Sequence, residues 1–123
     1  MIKDLLFIGL GGGLGSIFRF LVSKVSMKFI YCNFPVGTFI VNISGCLLIG
    51  ILFGLSIKNN WLNESLKPLL IIGFCGGYTT FSTFSLENYH LFQEGNYSTL
   101  IVYVLTSLLF GVLATWGGIL LIK

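Results

Sequence analysis

The residues able to do chemistry are few, and they sit inside otherwise apolar sequence. Asn42 stands one helical turn after Thr38. An amide brings two N–H donors and a hydroxyl brings one O–H. Tyr103 and Ser107 have the same i, i+4 spacing, with Thr99 and Thr106 close by. Their hydroxyls would form a ladder of donors on one helical face, or would bond back to carbonyls of their own helix. Phe81 and Phe84 are spaced i, i+3. A phenyl ring has a positive edge that can face a small anion, and in a membrane helix it equally serves as packing. Arg19 is a strong charge within the first apolar stretch. Such a charge is a functional candidate, unless its long stem lets it snorkel to the membrane surface. Glu87 and Glu94 fall toward the outer end of the third stretch, so the sequence places no carboxylate at mid-membrane. Amide, hydroxyls, ring edges and a cation favour an anion, because such donors replace the water shell of a strongly hydrated ion.

These side chains must be held by membrane-spanning helices. The chain is 55% hydrophobic and 9% charged, with a mean hydropathy of +0.97, whereas a soluble domain carries about 25% charge. Four stretches approach the roughly 20 residues that cross a bilayer: approximately 4–25, 36–57, 68–93 and 98–122. The expected fold class is therefore an all-α membrane protein, one transmembrane domain over residues 1–123. The first stretch has Asp4 near its start and no small-residue cleavage pattern, so it reads as a retained helix and not a signal peptide. The third is expected to be broken near its middle, between about Gly76 and Thr80. Adjacent glycines followed by hydroxyl and β-branched residues make a poor helix, although a glycine kink would also satisfy the pattern. The remaining glycines read as close-packing positions and not as a phosphate loop, which needs a strand–turn–helix context.

Other functions find little support. No basic cluster suggests nucleic acid, no soluble partner is implied, and no nucleophile–base pair or metal-ligand cluster marks an enzyme. His90 is alone and is expected at the membrane interface. Cys32, Cys46 and Cys75 lack C-x-x-C spacing, and the two within spans read as small hydrophobes. Lys3, Lys58, Lys67 and Lys123 fall on one side of a four-span arrangement, with Lys24, Lys28 and Arg19 toward the other. This weak bias leaves open whether the chain inserts one way or both.

Four strings, in order, carry a family resemblance over nearly the whole chain: Gly12-Gly-Leu-Gly15 with Arg19-Phe20; Pro35-Val-Gly37-Thr38 through Asn42 to Gly45; Gly76-Gly-Tyr-Thr-Thr-Phe-Ser-Thr-Phe84; and Tyr103 with Ser107. Together they resemble the Fluc (CrcB-type) family of fluoride ion channels. The resemblance implies an antiparallel, dual-topology homodimer in the plasma membrane (the bacterial inner membrane), with two fluoride pores at the subunit interface. It implies passive export of cytosolic fluoride, with fluoride, membrane lipid and a second copy of itself as partners. Asn42, Phe81, Phe84, Tyr103 and Ser107, with Thr38 and Thr83, would line the pores, and Arg19 would shape the vestibule. A structural sodium ion would sit on the dimer axis, held by the Gly76 and Thr79 carbonyls. Gly111 departs from the pattern, one turn beyond Ser107 where another hydroxyl would continue the ladder. Two rivals remain: a small four-helix proton-coupled multidrug exporter, which needs a buried carboxylate, and a non-conducting membrane assembly subunit.

Overall fold

The computed structural model describes residues 1–30, 32–58, 62 and 64–123. The polar connection between Lys58 and Pro68 includes residues 59–61 and 63, which lie outside the described residues. Among the described residues every regular element is helical: α1 (Ile2–Phe29), α2 (Val36–Lys58), a π-helical segment (Pro68–Cys75), α3 (Gly76–Tyr78), α4 (Phe81–Gln93) and α5 (Tyr97–Ile122). Four stretches are long and apolar enough to cross a membrane: Ile2–Phe29, Val36–Lys58, Pro68–Gln93 and Tyr97–Ile122. Large hydrophobics such as Leu6, Phe20, Leu105 and Leu121 are exposed on their outer faces. Helices apolar all round belong in lipid.

The first helix is longer than the sequence suggested. It runs to Phe29 and not to residue 25, with Lys28 in its last turn and its end closed by Ile30 N–H on the Ser26 carbonyl. Arg19 therefore lies about ten residues, or about 15 Å, from that end. That is deeper than its expected place near the helix terminus.

The third span is assembled from pieces. Pro68, lacking an N–H, opens it at a position where no partner is needed. The wide π turns that follow bring the backbone of 69–74 against α1, where glycines allow it. A methyl group on Gly11 would collide with the Leu69 carbonyl oxygen, and one on Gly15 with the Phe74 carbonyl oxygen. Within the Gly76–Thr80 segment both glycines remain helical in α3, and Gly77 is needed because its Cα backs onto Gly12, whose carbonyl a side chain would strike. Helical geometry stops one step later, where Thr79 (φ −80°, ψ 156°) and Thr80 (φ −148°, ψ 119°) are both extended.

Elsewhere α2 packs along α5, and α4 along the start of α5. Gly50 meets the Thr115 carbonyl, and Gly118 meets the Leu47 carbonyl oxygen at 2.5 Å from where its Cβ would be. Lys58 Nζ donates to the Ile122 carbonyl at 2.8 Å and ties the ends of the two helices together. Gly95, at φ 74°, ends α4. Its N–H reaches the Phe92 carbonyl while that of Asn96 reaches Leu91, so two of the last carbonyls of α4 are satisfied before α5 begins.

These contacts separate glycines that matter from glycines that do not. Gly15→Val or Gly77→Val should overpack the seam between α1 and the third span and cost about 1–3 kcal/mol. Gly9→Ala and Gly13→Ala, whose added methyls meet no atom within 4 Å, should leave the melting temperature in detergent unchanged. Equal shifts for both pairs would show that the seam is not closely packed.

Candidate ion-conduction site

The interruption at Thr79–Thr80 removes backbone groups from the helical ladder, and each must find another partner. Asn42 supplies one. Its Nδ2 donates to the Thr80 carbonyl at 3.0 Å, and Thr80 N–H donates to Asn42 Oδ1 at 2.8 Å. Both bonds together fix which way the amide faces, and one N–H of Nδ2 remains uncommitted. The side chain of Thr80 then starts α4, accepting from the Thr83 N–H at 3.2 Å and donating to Thr83 Oγ1 at 3.1 Å. Thr79 turns back, its Oγ1 donating to the Cys75 carbonyl at 2.9 Å. Thr80 was not among the residues singled out in the sequence, although its place beside the glycine pair carried the signal.

Thr80 stands between two concavities. On one side lies a cavity of about 550 Å³ lined by Ser16, Arg19, Ser23, Lys24, Thr38, Thr80 and Thr83, among others. Two cations and five hydroxyl groups make this a place for anions, and among the described residues neither cation has an ion-pair partner. On the other side is an open groove of about 440 Å³, whose lining includes Asn42, Cys46, Gly76, Thr79, Thr80, Phe81, Phe84 and Ser107. Phe81 and Phe84 have centroids 5.7 Å apart with their planes tilted by 39°. Ser107 Oγ is buried and has no hydrogen-bond partner. Nearly all buried polar groups are paired, so an unpaired hydroxyl in a groove calls for an account.

The expected residues thus divide. Asn42, Phe81, Phe84 and Ser107 share the groove, whereas Thr38, Thr83 and Arg19 share the basic cavity. Tyr103 joins neither. It is wholly buried, with Phe84 at 4.9 Å and Phe34 at 5.1 Å between ring centroids, and its hydroxyl donates to Glu87 Oε1 at 2.8 Å. Thr38 Oγ1 donates to Glu87 Oε2 at 2.9 Å. The expected hydroxyl ladder from Tyr103 to Ser107 is therefore corrected: one rung is committed to a carboxylate. Glu87 lies about six residues, or about 9 Å, beyond the start of α4, on the far side of the interruption.

Glu87 also borders a third cavity of about 360 Å³, shared with Cys32, Thr38, His90 and Glu94. Thr38 lines both this cavity and the basic one. The Thr38–Glu87 bond therefore stands at their boundary, as the Asn42–Thr80 pair stands between the basic cavity and the groove. The pair has a measurable consequence. Asn42→Leu would strip the Thr80 N–H and carbonyl of their partners, at a cost of about 1–3 kcal/mol for each buried group. Asn42→Asp keeps the acceptor for the N–H, yet sets a carboxylate against a carbonyl. Thermal unfolding in detergent should rank wild type above both variants, and a wild-type melting temperature for Asn42→Leu would remove the pair from the structural account.

Comparison with known proteins gives this geometry its lineage. A family model described as CrcB-like protein, Camphor Resistance (CrcB), matches residues 6–119. The chain is 50% identical over 121 residues to a protein named fluoride-specific ion channel FluC from Azobacteroides pseudotrichonymphae genomovar. CFP2, covering 98% of this chain and 97% of that one. It is 46% identical over 121 residues to the protein of the same name from Flavobacterium psychrophilum, covering 98% of each. With that of Phocaeicola vulgatus it shares 44% over 117 residues, covering 95% of this chain and 96% of the relative. Similarity of this strength along almost the full length places the chain in the CrcB-like family.

Proposed function

We propose that this protein is a multi-pass, fluoride-selective channel of the plasma membrane that lets cytosolic fluoride leave passively. The observation that carries the reading is the buried, unpartnered hydroxyl of Ser107, in a groove walled by the rings of Phe81 and Phe84 and by the Asn42 amide. A small anion receives from them one hydroxyl hydrogen, one spare amide hydrogen and the positive edges of two rings. Such a lining substitutes for water around a strongly hydrated ion, while ring edges hold it loosely enough to depart. The names of the relatives point the same way.

The physiological sense is simple. Hydrogen fluoride enters an acid-stressed cell as a neutral molecule and ionises in the cytosol. The anion then leaves through the channel, driven by the inside-negative potential, with no catalytic step. Arg19, with Lys24, draws anions into the basic cavity ahead of the groove.

The working unit in this reading is an antiparallel homodimer with two pores. A groove with exposed Phe81, Ile72 and Leu108 at its rim is unfinished in a single chain, and a second copy would close it. The weak bias of basic residues between the two membrane faces, with Lys24, Lys28 and Arg19 set against Lys3, Lys58, Lys67 and Lys123, suits insertion both ways. The interruption at Thr79–Thr80 is, in this account, the break of the third helix at membrane depth, which is tolerable only beside protein or a wet cavity. A sodium ion on the dimer axis fits the same segment. Thr80 N–H, the ordinary helical partner of the Gly76 carbonyl, is diverted to Asn42, and Gly76 has open space beside it. Carbonyls of Gly76 and Thr79 from one chain are too few for a hard cation, and those of two chains would hold it.

The rival exporter reading gains a carboxylate in Glu87. However, that group is held by two hydroxyl donors, and the neighbouring cavity is cationic, which opposes a cationic drug.

In liposomes loaded with fluoride, purified protein should produce rapid efflux that excludes chloride and needs no pH gradient. Phe81→Ile should abolish it. Ser107→Ala should slow it about 5- to 30-fold, as expected for about 1–2 kcal/mol at the barrier. Verified dimers that pass no fluoride would leave the assembly subunit as the better account.

A further inference from the structure

We propose that the thiol of Cys46 is a further uncommitted donor of the groove, beside the Ser107 hydroxyl and the spare Asn42 hydrogen, standing in for the side chain that α5 lacks at Gly111. The inference rests on the fluoride-channel reading and deepens it by assigning an anion-binding residue. Cys46 follows Asn42 by one turn of α2 and lines the same groove as Ser107 and Phe84. Across from it, Gly111 follows Ser107 by one turn of α5. A Cβ built on Gly111 would lie 3.6 Å from Cys46 Sγ, so the sulfur faces the place where α5 carries no side chain. The next turn of α5 offers no replacement, because Thr115 Oγ1 donates to the Gly111 carbonyl at 3.2 Å.

The uncommitted hydrogens of the groove can be traced. Thr79 spends its hydroxyl on the Cys75 carbonyl, and Thr80 donates to Thr83. Cys75 also borders the groove, but it is buried and packed against Leu52 and Leu62. Ser107 Oγ has no partner, and among the described residues none is found for Cys46 Sγ either. An anion that leaves the Ser107 hydroxyl therefore finds a thiol next on the α2 wall. A thiol is a weaker donor than a hydroxyl, so this rung passes the ion on without retaining it.

Alanine and serine are close in volume, and only serine donates. In the liposome efflux assay, Cys46→Ala should slow fluoride several-fold, whereas Cys46→Ser should equal or exceed the wild type. Adding Gly111→Ser to Cys46→Ala should restore the rate, since the space at Gly111 admits ordinary contact. A purely packing role predicts that serine behaves as alanine, and that outcome overturns the proposal. So does an unslowed Cys46→Ala in a protein whose wild type conducts; a wild type that does not conduct sinks the channel reading instead. Should Cys46→Ala fail to purify intact, wild-type protein decides. Methyl methanethiosulfonate converts a thiol to its methyl disulfide and releases methanesulfinate. Peptide mass analysis should find this reaction at Cys46 slowed by fluoride and not by chloride, and equal slowing by both anions, or by neither, counts against the assignment.

Discussion

A backbone that crosses a membrane cannot leave its amides and carbonyls unpaired, and everything distinctive in this chain follows from how it meets that demand at Thr79–Thr80. Two extended residues inside an otherwise helical span would expose several polar groups to lipid. The Asn42 amide pairs with both the N–H and the carbonyl of Thr80, much as a neighbouring strand would. Thr80 is then free to begin a new helix with its own hydroxyl as the cap. The fresh start sets the direction of α4, and with it the position of Phe81 and Phe84. The same contact separates a cationic cavity from an apolar groove. A single amide thus carries structure and site together, which is why Asn42 cannot be sorted into one role or the other.

The second polar knot is anchored on Glu87. Burying a carboxylate is unfavourable unless donors surround it, and Thr38 and Tyr103 each supply one from a different helix. This joins α2, α4 and α5 at a point close to the interruption. It also sets a carboxyl group at the Thr38 end of the basic cavity, whose lining includes Arg19 and Lys24.

Much of this was legible in the sequence because membrane constraints are severe. Four apolar stretches of spanning length permit little besides helices, and polar residues among them stand out. Asn42, Phe81, Phe84 and Ser107 could be singled out on that ground, and they meet in one groove. What was hidden depends on partners distant in sequence. The commitment of Tyr103 and Thr38 to Glu87 joins three spans, and local spacing gives no hint of it. Tyr103 and Ser107 do lie one turn apart on α5, yet the tyrosine's longer reach takes its hydroxyl to α4. The Gly76–Thr80 string did not reveal how its residues divide the work: Gly77 serves the approach of α1, and the departure from helix rests on the extended threonines that Asn42 and Cys75 hold in place. The true end of α1 was missed because Lys24 and Lys28 looked like the edge of the membrane. Lysine stems can lie along a helix inside the apolar zone, so charge alone marks the boundary poorly.

The groove's scarcity of free donors is itself an argument about mechanism. A site built to retain fluoride would surround it with strong donors, each worth about 1.5–3 kcal/mol to a charged partner. Here most hydroxyls near the interruption are already spent on the protein, and Asn42 keeps one hydrogen in reserve. What remains is that amide hydrogen, one unpaired serine, a weakly donating thiol and two ring edges. Chloride, being larger, gains less from a compact donor than fluoride does, but fluoride also gives up more hydration, so one hydroxyl alone cannot select it. In the channel reading proposed above, selectivity needs the Ser107 hydroxyl, the spare Asn42 hydrogen and the ring edges to act together in place of water. The rings add an attraction too diffuse to trap an ion, which suits its release.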